Sequence, residues 1–162
     1  KTLSNSPLTF SAALYVEEIL DQLQRETMVD EDLEPLVRAV SRIHVVEEAR
    51  HMRYAREEFL RVWDRRGRLS KAYSRLVLAL VVYFATTRLV HPDCYAAVGL
   101  DPREASRAAR RNPHWRRSLT WMARRAVATF TEADVIRGPA RGLWRRAGVL
   151  EDAAPARTVR TR

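Results

Sequence analysis

From Leu36 to Arg66 the sequence runs without a glycine or a proline. No other feature constrains the fold as strongly. The segment is entered through Pro35, behind the acidic turn Asp30-Glu31-Asp32. Proline suits a first helical turn and acids suit a helix N-terminus, so one helix is predicted over 35–66. At 1.5 Å per residue it spans roughly 45 Å. Gly67 ends it.

The remaining punctuation extends this reading. Ser4-Asn5-Ser6-Pro7 is a helix start, and Phe10, Ala13, Leu14, Leu20 and Leu23 follow at helical spacing, which predicts a first helix over 7–28. A third helix is predicted over 70–90. It is apolar nearly all round at its centre and so expected to be buried. Its ten-residue apolar run, Leu76 to Ala85, lies between Arg75 and Arg88 and is too short to span a membrane. His91-Pro92-Asp93 stops this helix, while Asp101-Pro102 and Pro113 start two more. In the second of these, Trp115, Leu119, Met122, Ala126, Phe130 and Ala133 form a core stripe. Gly138-Pro139 breaks it, and a short amphipathic piece surrounds Leu143-Trp144. No strand alternation is seen. The fold class is all-α and bundle-like. One helical unit is expected over 1–150: a helix pair over 7–66, a core helix over 70–90 and basic helices over 102–147. A disordered basic tail is expected over 151–162.

Composition removes several classes. The chain has 162 residues, 46% of them apolar and 30% charged, with only 5 Gly, so it is neither collagen-like nor of low complexity. A single cysteine, Cys94, excludes an internal disulfide framework and a Cys-type zinc site, and it reads as a small buried residue. Lys1 to Pro7 has no secretory character, so the expected location is cytoplasmic, with no membrane. The net charge is +9, and residues 101–162 hold all of it, with 15 Arg against 6 acids. Residues 1–100 sum to zero.

The chemistry is concentrated in the neutral part. In Ile43-His44-Val45-Val46-Glu47-Glu48-Ala49-Arg50-His51, the residues His44, Glu48 and His51 stand at i, i+4 and i+7. They share one helix face with Val37, Val40, Ala55 and Val62, which is largely apolar. Burying two imidazoles and a carboxylate there calls for compensation, and a metal ion supplies it, since these are standard ligands of iron, manganese and zinc. On the first helix Glu17 sits among Phe10, Ala13, Leu14 and Leu20. It is read as the carboxylate on the core face, and its neighbour Glu18 as solvated. The turn near residue 30 places Glu17 opposite His44 and Glu48 in an antiparallel pair. Glu-x-x-His on one helix with Glu on its neighbour is half of the di-iron carboxylate bundle pattern. Two iron ions held side by side can reduce O2 by two electrons. The metalloprotease order H-E-x-x-H is absent.

The segments YVEEIL at 15–20 and RIHVVEEARHMRYAREE at 42–58 resemble the C-terminal half of the p-aminobenzoate N-oxygenase family of non-haem di-iron oxygenases. The likeness covers residues 3–95. It implies a ferritin-like bundle that oxidises the nitrogen of an aryl amine or a similar electron-rich small molecule, using two iron ions (manganese as the alternative), O2 and an electron donor. It implies Glu17, His44, Glu48 and His51 as metal ligands, with His44 as an additional histidine. The chain departs from the family in lacking a second E-x-x-H and the helices that would carry it. Either preceding helices are missing, which the absent initiator Met favours, or two copies complete the site as a homodimer.

Two rival readings compete with the oxygenase. The arginines at 103, 107, 110, 111, 116, 117, 124, 125, 137, 141, 145 and 146 could neutralise nucleic-acid phosphates. No helix-turn-helix signature accompanies them, and acids such as Glu57 and Glu58 could pair with them, so a solvated face is preferred. The other rival is a helical domain without metal.

Overall fold

The computed structural model describes residues 6–150. The expected tail over 151–162 and most of the Ser4-Asn5-Ser6 start lie outside the described residues. Helices α1 (Pro7–Thr27), α2 (Pro35–Asp64), α3 (Arg68–Thr87), α4 (Pro92–Ala96), α5 (Pro102–Arg111), α6 (Pro113–Glu132) and α7 (Arg141–Ala147) follow in order, with a 3-10 turn at Gly138–Ala140 before α7. There is no strand among the described residues.

Five of these helices open on proline, which needs no amide partner at the first position and brings φ already set for a helix. The residue before each proline caps it. Ser6 Oγ accepts from the Leu8 amide, Asp101 Oδ1 from the Glu104 amide at 2.7 Å, and Asn112 Oδ1 from the His114 amide at 2.9 Å. The His91-Pro92-Asp93 stop does more than end α3. His91 Nδ1 accepts from the Asp93 amide and starts the short α4.

Helices α1 and α2 pack as the expected antiparallel pair. Phe10 near the start of α1 meets Tyr54 late in α2, with ring centroids 6.0 Å apart and edge to face. Helix α1 lies at the centre of the fold and also packs on α3 and α6. The core combines Leu14, Tyr15 and Ile19 of α1 with Phe59 and Trp63 of α2 and Leu78 and Val82 of α3. Helix α6 adds Leu119, Met122, Ala126 and Phe130, which is the stripe read from the sequence. Trp144 of α7 is fully buried, edge-on to Tyr15 at 5.9 Å and tilted against Phe130 at 5.7 Å. A buried aromatic of that size contributes several kcal/mol through area and ring contacts, on the order of the ~3–5 kcal/mol lost on truncating one. Trp63 is pinned at the other end of the core, its Nε1 donating to the Ala133 carbonyl at 2.8 Å.

Three expectations change. Helix α3 is buried on one face only. Ser74, Leu78, Ala79, Val82 and Thr86 turn inward, whereas Leu69, Tyr73, Leu76, Leu80 and Phe84 stay exposed, because α1 and α7 cover a single side of it. An 18-residue window within Arg68–Ala96 has a mean hydropathy of 1.4, which by length and composition alone is enough to cross a membrane, a test that the ten-residue run did not pass and that a soluble core helix also meets. Cys94 is exposed rather than buried, since α4 has no buried face.

The buried hydroxyl of Tyr15 bonds that of Thr86 at 2.5 Å, tying α1 to α3. Burial pushes the Tyr15 pKa from 10.0 up to about 12, although the Thr86 bond pulls the other way. The unfolded chain therefore ionises first, and stability held below pH 10 is lost as the pH climbs towards 12. Between pH 9 and 11 this residue should cost the fold about 1 kcal/mol in urea melts. Tyr15→Phe should start less stable but lose less over the same interval. An unchanged slope would contradict the assignment.

Candidate metal centre

The rotation of α1 about its own axis decides what each of its carboxylates can do. Its inward stripe is Ser11, Leu14, Tyr15, Glu18, Asp21 and Gln22, at helical spacing. Glu18 is 3% exposed, and its Oε1 accepts from Arg56 Nη2 of α2 at 2.8 Å. Asp21 is 1% exposed, and its Oδ2 takes Arg25 Nε at 2.7 Å and Arg125 Nη1 of α6 at 3.3 Å. Gln22 Oε1 receives Arg124 Nη2 at 3.4 Å. The sequence reading placed Glu17 on the core face and Glu18 in solvent, and the structure reverses them. The two residues differ by one position, or about 100° of rotation. Apolar residues lie on both sides of α1, so hydrophobicity alone did not set the phase. What sets it is an arginine on the facing helix for each buried acid.

The reversal turns Glu17 towards the expected partners. Glu17 is half-buried, on the side of α1 that carries Val16 and Leu20. Across from it on α2 stand His44, Glu48 and His51, all close enough to act on its ionisation. Loss of water raises the Glu17 pKa first and the Glu48 carboxylate raises it further, while His51 and His44 lower it. His51 Nδ1 and Glu48 Oε2 are 3.1 Å apart, so the i, i+3 pair is already joined. The four residues thus occupy one side of the α1–α2 pair.

That side is open, contrary to the buried face expected. The buried stripe of α2 is Ser41, Val45, Ala55, Phe59, Val62 and Trp63, whereas His44 and His51 lie on its exposed flank. The His51 side chain is 68% exposed and that of Glu48 only 21%. Around the four stand exposed apolar side chains: Val16, Leu20 and Leu23 on α1 and Val37, Val40 and Ile43 on α2. Among the described residues, no three His, Cys, Asp or Glu side chains close around a common point as they stand. The donor set nevertheless suits iron, with two imidazoles and two carboxylates. The Glu17 carboxyl, partly withdrawn from water beside the Glu48 carboxylate, is a pair that a cation would stabilise.

Other aromatic and acidic side chains of these helices have ordinary structural roles. Tyr15 is core, Tyr54 packs on Phe10, and Tyr83 meets Phe84 edge-on. Glu58 pairs with Arg61 inside α2 rather than with the basic third. Among the described residues, Asp21 meets Arg125 and Asp134 meets Arg137 of the C-terminal third.

Compared with known proteins, the sequence profile of the family described as P-aminobenzoate N-oxygenase AurF matches residues 1–134. The chain belongs to that family. No curated protein and no solved structure matches it.

The α1 phase predicts opposite outcomes at adjacent positions. Glu18→Ala strands the Arg56 guanidinium and should lower stability by about 2–3 kcal/mol in urea melts, less than for a fully buried pair because Arg56 reaches water. Glu17→Ala should change it by no more than about 0.5 kcal/mol. The reverse ranking would return Glu17 to the core and contradict this site.

Proposed function

We propose, from its place in the p-aminobenzoate N-oxygenase family, that this chain carries the metal-binding helix pair of a non-haem di-iron oxygenase acting on the nitrogen of a small amine, in the family's manner an aryl amine. The observation that carries the reading is that α1 and α2 pack so that Glu17 lies within electrostatic reach of His44, Glu48 and His51. The match to the family's profile spans these residues.

Glu17, His44, Glu48 and His51 would hold the metal. Iron bound there supplies the electron-transfer chemistry with O2 that no side chain in this chain can perform. The residues themselves prepare the ground. Glu48 Oε2 lies 3.1 Å from His51 Nδ1, which orients the imidazole. Glu17 and Glu48 bring negative charge to a place where water is already reduced, so a multiply charged cation is favoured over a monovalent one. Val16, Leu20 and Val40 flank the group with apolar surface that repels water once covered.

One helix pair supplies half of a ferritin-like ligand set, with His44 in addition. The other half belongs to a second helix pair laid over the exposed apolar side, from a further segment of a longer protein or from a second copy. An amine substrate and an external electron donor complete the reaction.

Metal content tests the reading. After anaerobic loading with ferrous iron and desalting, the chain should keep at least about half an iron per polypeptide. Glu17→Ala, Glu48→Ala and His51→Ala should each weaken binding by more than about tenfold. Glu47→Ala, one position away on an exposed flank, should not. Retention unaffected by all three ligand variants would overturn the assignment.

A further inference from the structure

The charge confined to residues 101–162 finds no use in the oxygenase reading, and part of it converges. Arg116, Arg117, Trp121 and Arg124 stand on one face of α6, with 117, 121 and 124 at i, i+4 and i+7. With Gly148 and Leu150 of the segment after α7 they line an open cleft of about 500 Å³. That is room for a small ligand, since such sites run from roughly 300 to 1,000 Å³. No carboxylate among the described residues lines it. The cleft of similar size between α1, α2 and α6 is different: Glu18 and Glu132 line it, and Arg56 there is already paired.

Among the described residues, the partners of Arg124 carry no negative charge. Its guanidinium lies over the Trp121 ring at 5.5 Å, and its hydrogen bond goes to the neutral amide of Gln22. Both contacts orient the fork without neutralising it. Guanidinium groups take phosphate oxygens in pairs, and an indole offers a stacking platform to a flat ring. Gly148 has φ +77°, a left-handed conformation that costs other residues strain, and it closes the cleft against α6, with Thr120 Oγ1 donating to its carbonyl at 3.2 Å. The wall is therefore built around the arginine face and is not a loose stretch of surface.

We propose that this cleft binds a nucleoside phosphate, with phosphates on Arg117 and Arg124 and the base against Trp121. The arginines elsewhere on α5 and α7 are a solvated surface. The proposal is independent of the metal centre.

Calorimetric titration of the whole chain at near-physiological salt, with ATP, tripolyphosphate, adenosine and a single-stranded oligothymidylate as probes, tests it. ATP should bind at least about tenfold more tightly than tripolyphosphate or adenosine, because ring and phosphates are both engaged. Arg117→Gln and Arg124→Gln should each weaken ATP by about tenfold or more. Trp121→Leu should bring ATP down to the level of tripolyphosphate. Arg103→Gln on α5 removes the same charge outside the cleft and should change nothing. Thermal melts of each variant separate lost binding from lost folding. Equal affinity for ATP and tripolyphosphate in the unaltered chain, no ATP binding, or equal weakening by Arg103→Gln would overturn the proposal. So would oligothymidylate binding that grows with length and ignores Trp121→Leu, since that describes a polymer surface instead.

Discussion

Everything in this fold depends on how α1 is rotated, and two buried acids set that rotation. Glu18 and Asp21 are almost fully withdrawn from water, a loss that costs several kcal/mol per ion unless a counter-charge meets it. Arg56 on α2 and Arg125 on α6 meet it from two directions. Both guanidinium groups keep nearly half of their side-chain surface in water, so only one member of each pair is fully desolvated. Rotating α1 by one residue would pull both acids off their partners. It would also carry Glu17 away from Glu48 and His51. The pairing thus stabilises the packing of α1 in one phase and, through that phase, turns Glu17 towards the flank of α2 that carries His44, Glu48 and His51.

The basic C-terminal third is part of the same structure. Trp144, among the largest fully buried side chains, comes from it, as do Phe130 and Val135. Its arginines divide their work. Arg125 compensates Asp21 and Arg137 pairs with Asp134, while Arg117 and Arg124 line the cleft beside Trp121. Local excess charge and core formation coexist because helices separate the two on opposite faces. The expectation that this third is a solvated surface holds for most of its arginines but not for its apolar residues.

Much of this was legible in the sequence, for identifiable reasons. Helix boundaries were marked by prolines and caps, which act within one turn and need no tertiary context. The aromatic and aliphatic stripe of α6 was readable because the other faces of that helix are polar. The grouping of His44, Glu48 and His51 along one flank of α2, proposed here as metal ligands, was readable because helical spacing alone brings the three together. The phase of α1 was not, because apolar residues occupy both its sides and a buried glutamate looks no different from a solvated one until its arginine is located. The exposed outer faces of α2 and α3 were hidden for a related reason. An apolar pattern says that a face seeks cover, and only the packing shows which faces have found it.

X-ray absorption at the iron edge of the loaded protein tests most directly the proposal that Glu17, His44, Glu48 and His51 act as one ligand set. The first shell should contain imidazole nitrogen together with carboxylate oxygen. The outer-ring scattering of imidazole should shrink in His44→Ala and again in the His44→Ala, His51→Ala double variant. An oxygen-only shell, or a spectrum that the double variant leaves unchanged, would contradict the claim that this side of the α1–α2 pair is the metal centre.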